Sequence, residues 1–133
     1  MQMKTNKLIS FGKILAIAIL ILGIIHDIAT FTPLIKAGLV CLNPGDLAAM
    51  IYMSLICGTS FILSGLVLTL LLRKVEQYAF LTSIIVVIGI FLALSGVLSI
   101  VFMFDNPFAW IALLLNLSMF FIAIGLKNNL DKK

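Results

Sequence analysis

A chain of 133 residues that is 63% hydrophobic and 11% charged, with mean hydropathy +1.29, is neither an ordinary soluble domain nor a disordered one. The formal charge of +4 does not point to nucleic acid, because the basic residues stand at the ends of apolar runs and form no stripe with stacking aromatics. One membrane domain spanning residues 1–133 remains.

Apolar runs cover residues 8–29, 47–72, 79–104 and 107–126. Each can cross a hydrocarbon core about 30 Å thick as a helix rising about 1.5 Å per residue. The expected fold is all-α: a polytopic membrane protein with four transmembrane helices in an up-down-up-down bundle. Eight of the nine basic residues fall on one side of it: Lys4, Lys7, Lys13, Arg73, Lys74, Lys127, Lys132 and Lys133, with Lys36 the exception. Short loops rich in Lys and Arg stay in the cytoplasm, so both termini are expected there, in the plasma membrane of a bacterium or archaeon.

The first run has the basic start and apolar middle of a signal peptide. The sequence after it, His26-Asp27-Ile28-Ala29-Thr30, offers no small-x-small cleavage site, so it reads as a retained helix. It weakens at Thr32 before Pro33, where proline disfavours a helical residue. The outer segment 30–46 is unusually apolar, with Leu34, Ile35, Leu39, Val40 and Leu42. It is expected to lie in the interface or over the outer mouth of the bundle, with Lys36 reaching headgroups. Asn43-Pro44-Gly45-Asp46 is a turn, and Asp46 is placed to cap the second helix.

In helix two, Ser54, Gly58 and Gly65 recur on one side; in helix three, Gly89, Ala93 and Gly96 do so. Ala109, Ala112, Asn116 and Ala123 give helix four a comparable stripe. Small residues let helices approach closely enough to gain contacts that lipid cannot match, so these faces are read as packing faces. Residues 73–78 make an inner hairpin, and Asp105-Asn106-Pro107 a tight outer turn. There Asn106 caps helix four, Pro107 occupies its first turn, and Trp110 is an interfacial anchor.

Few residues bear chemistry. His26 is the only histidine and adjoins Asp27 near the outer end of helix one. Helical neighbours point about 100° apart, so adjacency does not make them a pair. Asp27 opposes the macrodipole at a helix C-terminal end, with Lys36 or His26 as candidate partners. Neither lies on a small-residue stripe, and together they are candidates for an outer pocket roofed by the apolar loop. Asn116, Ser95 and Cys57 share a similar depth and are further pocket candidates, with interhelical hydrogen bonding as the expected role of the Asn116 amide. Cys41 and Cys57 read as unpaired thiols: one lies in the outer loop, the other roughly 15 Å deep, and a bridge requires α-carbons within about 7 Å. No His/Cys/Asp/Glu grouping has metal-site spacing, a single His cannot give bis-histidine haem ligation, and no cofactor is expected.

In size and topology, and in Gly23 and His26 of helix one with Gly58 and Gly65 of helix two, the chain resembles the DoxX-like and related small four-helix bacterial membrane proteins. The resemblance implies the four-helix fold and no catalytic residue. Three functional classes stay open. The leading one is a non-catalytic membrane bundle that binds a lipid-like molecule or serves a membrane partner protein. The second is an enzyme or redox accessory acting on a quinone- or isoprenoid-like substrate through His26 and Asp27. The third is a homo-oligomeric transporter of small molecules with Asn116, Ser95 and Ser99 along its path. Membrane lipids are the expected surroundings in each, and nucleic acid in none.

Overall fold

The computed structural model describes residues 2–33 and 41–130. Four helices follow in chain order: α1 Gln2–Thr30, α2 Pro44–Lys74, α3 Leu81–Phe102 and α4 Pro107–Leu130. Each is long and apolar enough to cross a membrane. The expected cover by Leu34, Ile35, Leu39 and Val40, and the positions of Lys36, Lys132 and Lys133, lie outside the described residues.

The helices do not end where the apolar runs end. α1 begins among polar residues before Leu8, and α4 continues past Leu126 through Lys127, Asn128 and Asn129. Hydropathy marks where lipid is tolerated, whereas the i to i−4 hydrogen-bond ladder continues into any residue of adequate propensity. α3 is shorter than its run. Residues 78–80 are spent on a turn in which Leu81 and Thr82 donate to the carbonyls of Tyr78 and Ala79, at 3.1 and 3.0 Å. At the other end Met103 leaves the helix at φ −137°, ψ 49°.

The cap of α2 is Asn43, not Asp46 as the turn suggested. Asn43 is extended at φ −66°, ψ 160°, and its Oδ1 accepts the Asp46 N–H at 2.9 Å. Asp46 already lies in the first turn, where it accepts from Asn43 Nδ2 at 2.6 Å and meets the positive end of the helix dipole. At α4 the expected cap forms, with Asn106 Oδ1 accepting the Phe108 N–H at 2.9 Å. The Trp110 indole donates to the Phe104 carbonyl at 2.9 Å and meets the Phe104 ring edge-on, closing that turn.

Buried positions repeat at alternating intervals of three and four on every helix: 58, 61, 65, 68 and 72 on α2, 82, 85, 89, 92 and 96 on α3, and 109, 112, 116, 119, 123, 126 and 130 on α4. This is knobs-into-holes spacing, which packs helices at shallow angles. α1 packs along α2, α3 along α4, and α1 also meets α4; α2 and α3 touch only slightly, and the diagonal pairs do not meet. Residue numbers run in opposite directions along each main contact: Gly12 lies against Leu72 and Gly23 against Gly58, while Gly89 lies against Phe120 and Gly96 against Leu113. Consistent with the open α2–α3 side, 28% and 22% of the apolar windows of α2 and α3 are buried, against 39% for α1 and for α4.

The tightest seam is α1 on α2. A β-carbon added at Gly23 would stand 2.6 Å from the Gly58 carbonyl oxygen and 2.8 Å from the Ile62 nitrogen. One at Gly65 would stand 2.6 Å from the Ala16 carbonyl oxygen. These are backbone atoms, which cannot rotate away. The α3–α4 seam is looser, the corresponding nearest approaches being 3.2 Å at Gly89 and 3.0 Å at Gly96. Gly125 faces only the tip of Leu8, at 3.4 Å.

Gly23→Ala and Gly65→Ala should therefore each destabilise the protein by about 1–3 kcal/mol through overpacking. Gly125→Ala should be neutral or stabilise by up to about 1 kcal/mol, the propensity gain of Ala over Gly in a helix. Thermal unfolding in detergent, followed by circular dichroism, checks both; equal effects at the three sites would show that the α1–α2 approach is not the close one.

Candidate functional site

His26 lies on α1 one turn before Thr30, so the two side chains share a helix face. Ser54 of α2 comes up against both. The Thr30 hydroxyl donates to the His26 carbonyl at 3.0 Å, Thr30 Oγ1 and Ser54 Oγ are 2.6 Å apart, and Ser54 Oγ is 3.2 Å from His26 Nε2. A hydroxyl has one proton to give. Since Thr30 gives its proton to a carbonyl, which can only accept, Ser54 must donate to Thr30. Ser54 then has none left for the ring, so His26 Nε2 carries the hydrogen and donates to Ser54. The chain fixes the tautomer and leaves Nδ1 as the ring's open position. On its other side the His26 ring lies 5.9 Å from that of Phe108, so this one residue links α1 to α2 and to α4.

This arrangement counts against a Ser–His nucleophile. An activated serine gives its proton to the imidazole; here the proton runs the other way. The Asp27 carboxylate contacts Gly58 and Thr59 of α2 and makes no hydrogen bond to the ring.

Asp27 sits where a β-carbon of Gly58 would stand, so the absence of a side chain at Gly58 is what gives the carboxylate its place. Its Oδ2 accepts one long bond, from Thr59 Oγ1 at 3.3 Å. Its Oδ1 is buried and has no hydrogen-bond partner among the described residues. A carboxylate oxygen in such surroundings calls for a donor, since leaving a charged group unsatisfied costs several kcal/mol. The expectation that Asp27 stands off the small-residue stripes is corrected here: it fills the notch of one. Pairing of Asp27 with His26 is likewise replaced by the contact with Thr59.

The deeper candidates are not brought together. Asn116 is 0% exposed, beside Gly96 on the inner face of α4, while Cys57 is exposed on the outside of α2. Ser95 is half-buried and its carbonyl accepts the Ser99 hydroxyl at 2.7 Å. Both polar atoms of the Asn116 side chain lack partners among the described residues, so the expected interhelical hydrogen bond is not formed. Of the packing residues, Gly58, Gly65, Gly89 and Gly96 are buried at helix contacts, Ala93 is half-buried, and Ser54 joins the polar cluster. Thr30 and Thr59 were not singled out in the sequence. Thr30, one turn after His26, carried a usable signal; Thr59, whose position depends on the α1–α2 register, carried none.

Among the described residues no group of His, Cys, Asp and Glu could hold a metal ion. No family model, curated protein or solved structure matches this chain.

Asn116→Leu should raise stability by about 1–3 kcal/mol, because a shape-similar apolar side chain removes a buried amide without partners. A fall in melting temperature in detergent would show instead that the amide is satisfied in the folded protein.

Proposed function

We propose that this protein is an integral membrane bundle, up-down-up-down with both termini cytoplasmic, that binds a lipid-like molecule whose polar end donates a hydrogen bond to Asp27. The observation that carries the reading is the Asp27 carboxylate: seated in the Gly58 notch, one oxygen buried without a donor and the other held only by Thr59 at 3.3 Å. An ionisable group at membrane depth is a functional candidate by default, and this one has an unmet requirement that defines its ligand. The ligand offers a hydroxyl or amine to the carboxylate and an apolar body to the surrounding surface. That surface includes Ile24 and Ile28 of α1 and Leu63 of α2, all exposed. The internal hydrogen-bond chain of His26, Ser54 and Thr30 supports binding over catalysis, because it uses up the serine proton.

The orientation rests on the basic residues. Arg73 and Lys74 are exposed at the end of α2, on the same end of the bundle as the start of α1 and the end of α4. In intact cells, with both native cysteines replaced by serine, an impermeant thiol reagent should label Asp105→Cys and leave Lys74→Cys unlabelled. The reverse pattern would invert the topology.

Ligand chemistry is read at Trp110, the single tryptophan, which lies at the same end as His26. A brominated long-chain alcohol and its methyl ether differ in the hydrogen-bond donor and in one methyl group. The alcohol should quench Trp110 in the detergent-solubilised protein at about tenfold lower concentration than the ether, the worth of a hydrogen bond to a charged group. Asp27→Ala should abolish that difference, which also corrects for unequal partitioning into detergent. If wild type and Asp27→Ala show the same ratio, Asp27 is not the binding group.

A further inference from the structure

The polar side chains around Asp27 have spent their donors. Thr30 gives its proton to the His26 carbonyl, Ser54 to Thr30, His26 Nε2 to Ser54, and Thr59 to Asp27 Oδ2. What they leave is acceptors: His26 Nδ1, a lone pair of Thr59 Oγ1, and the Asp27 carboxylate, whose Oδ1 has no partner among the described residues. Charge is equally one-sided. Asp27, Asp46 and Asp105 lie at this end of the bundle, which carries no Lys or Arg among the described residues. We infer that the ligand held at Asp27 is a long-chain amphiphile whose polar end is a primary ammonium. The inference rests on the reading of Asp27 as the ligand's anchor and names the chemistry of that ligand.

Several polar ends can give a hydrogen bond to a carboxylate, and the spent donors separate them. A hydroxyl brings one proton together with lone pairs, and an amide brings a carbonyl oxygen. Each carries an acceptor that this seam has no donor to meet, and an orphaned polar group in hydrocarbon costs free energy. An ammonium brings three donors, no acceptor and the charge that offsets the carboxylate. A phosphate-bearing headgroup, even one with its own ammonium, sets its phosphate against the same donor-poor wall and the same acids. A quaternary ammonium has the charge but no N–H, and leaves Oδ1 without a hydrogen. The apolar body has a bed beside the anchor. Ile24 stands one turn before Asp27 on α1, and Ile56 and Leu63 stand one turn to either side of Thr59 on α2; all three are exposed.

The test is quenching of Trp110 in the detergent-solubilised full chain by three brominated probes of equal chain length: a primary amine at neutral pH, the alcohol and the trimethylammonium. Asp27→Asn keeps an acceptor oxygen and removes the charge. Each probe's half-quenching concentration in the variant, divided by that in wild type, cancels its partitioning into detergent. On that scale wild type should favour the amine over the alcohol and over the trimethylammonium by about fivefold each, the worth of one partly exposed ion pair or one hydrogen bond. Thr59→Lys, at an exposed position, brings a cation to Asp27 without changing a packed residue, and should erase the amine's advantage as Asp27→Asn does. Circular dichroism confirms the fold of both variants. Ethylammonium at millimolar concentration should leave quenching by the long-chain amine unchanged; displacement would make the ligand a small soluble amine and overturn the amphiphile. An amine-to-alcohol ratio unchanged by both substitutions overturns the inference, and so does a trimethylammonium probe that equals the amine. If the alcohol still outdoes its methyl ether in wild type and not in Asp27→Ala, only the charge is lost and Asp27 binds a neutral donor. If that difference is absent too, the reading of Asp27 as anchor falls with it.

Discussion

In hydrocarbon, apolar side chains gain nothing by turning from lipid to one another, so helices associate only where their surfaces fit more closely than lipid can. In this protein that fit is concentrated where α1 meets α2. At Gly23, Gly58 and Gly65 the two backbones come together with no room for a β-carbon. The rest of the candidate site follows from this approach. It brings Ser54 within reach of Thr30 and His26, and it opens the notch into which Asp27 turns. A wider seam would dissolve the hydrogen-bond chain and leave the carboxylate in lipid.

The polar side chains inside this apolar body fall into two groups. Hydroxyls are satisfied cheaply, because a helix carbonyl one turn earlier is always near: Ser60 donates to Ile56, Thr69 to Gly65 and Ser99 to Ser95, each within 2.8 Å. These residues need no partner helix and carry no functional implication. Asp27 and Asn116 have no such local solution, since a carboxylate only accepts and an amide has both donors and an acceptor to satisfy. They are where the structure departs from self-sufficiency, and they differ in consequence. Asp27 is half-buried at the α1–α2 seam, whereas Asn116 is fully enclosed.

The two ends of the bundle have different chemistry. One carries acidic Asp27, Asp46 and Asp105 with the aromatic turn of Phe104 and Trp110; the other carries Lys7, Lys13, Arg73, Lys74 and Lys127 with Glu76. Between them, α2 and α3 remain largely uncovered, as expected of surfaces whose solvent is lipid. Asymmetry of charge and sparse contact between α2 and α3 are thus compatible: the first orients a bundle, and the second leaves it exchangeable surface.

The number of helices, their approximate limits, the turn before α2, the cap at Asn106 and the packing faces through Gly58, Gly65, Gly89 and Gly96 could all be read from the sequence, because each depends on local hydropathy, local turn chemistry or the absence of a side chain. What could not be read was which polar groups meet. The small-residue stripes mark which flank of each helix turns inward, and Ser54 lies on that of α2, but they do not give the rotation and register that decide which side chains of α1 it meets. The approach of α1 to α2 put Ser54 against His26 and Thr30 and left Cys57 exposed. It likewise separated His26 from Asp27, adjacent in sequence, by sending one to a serine and the other to a glycine notch. Sequence determined the bundle because spanning a membrane is a property of single helices; tertiary structure decided the site because a hydrogen bond between helices depends on their mutual rotation and register.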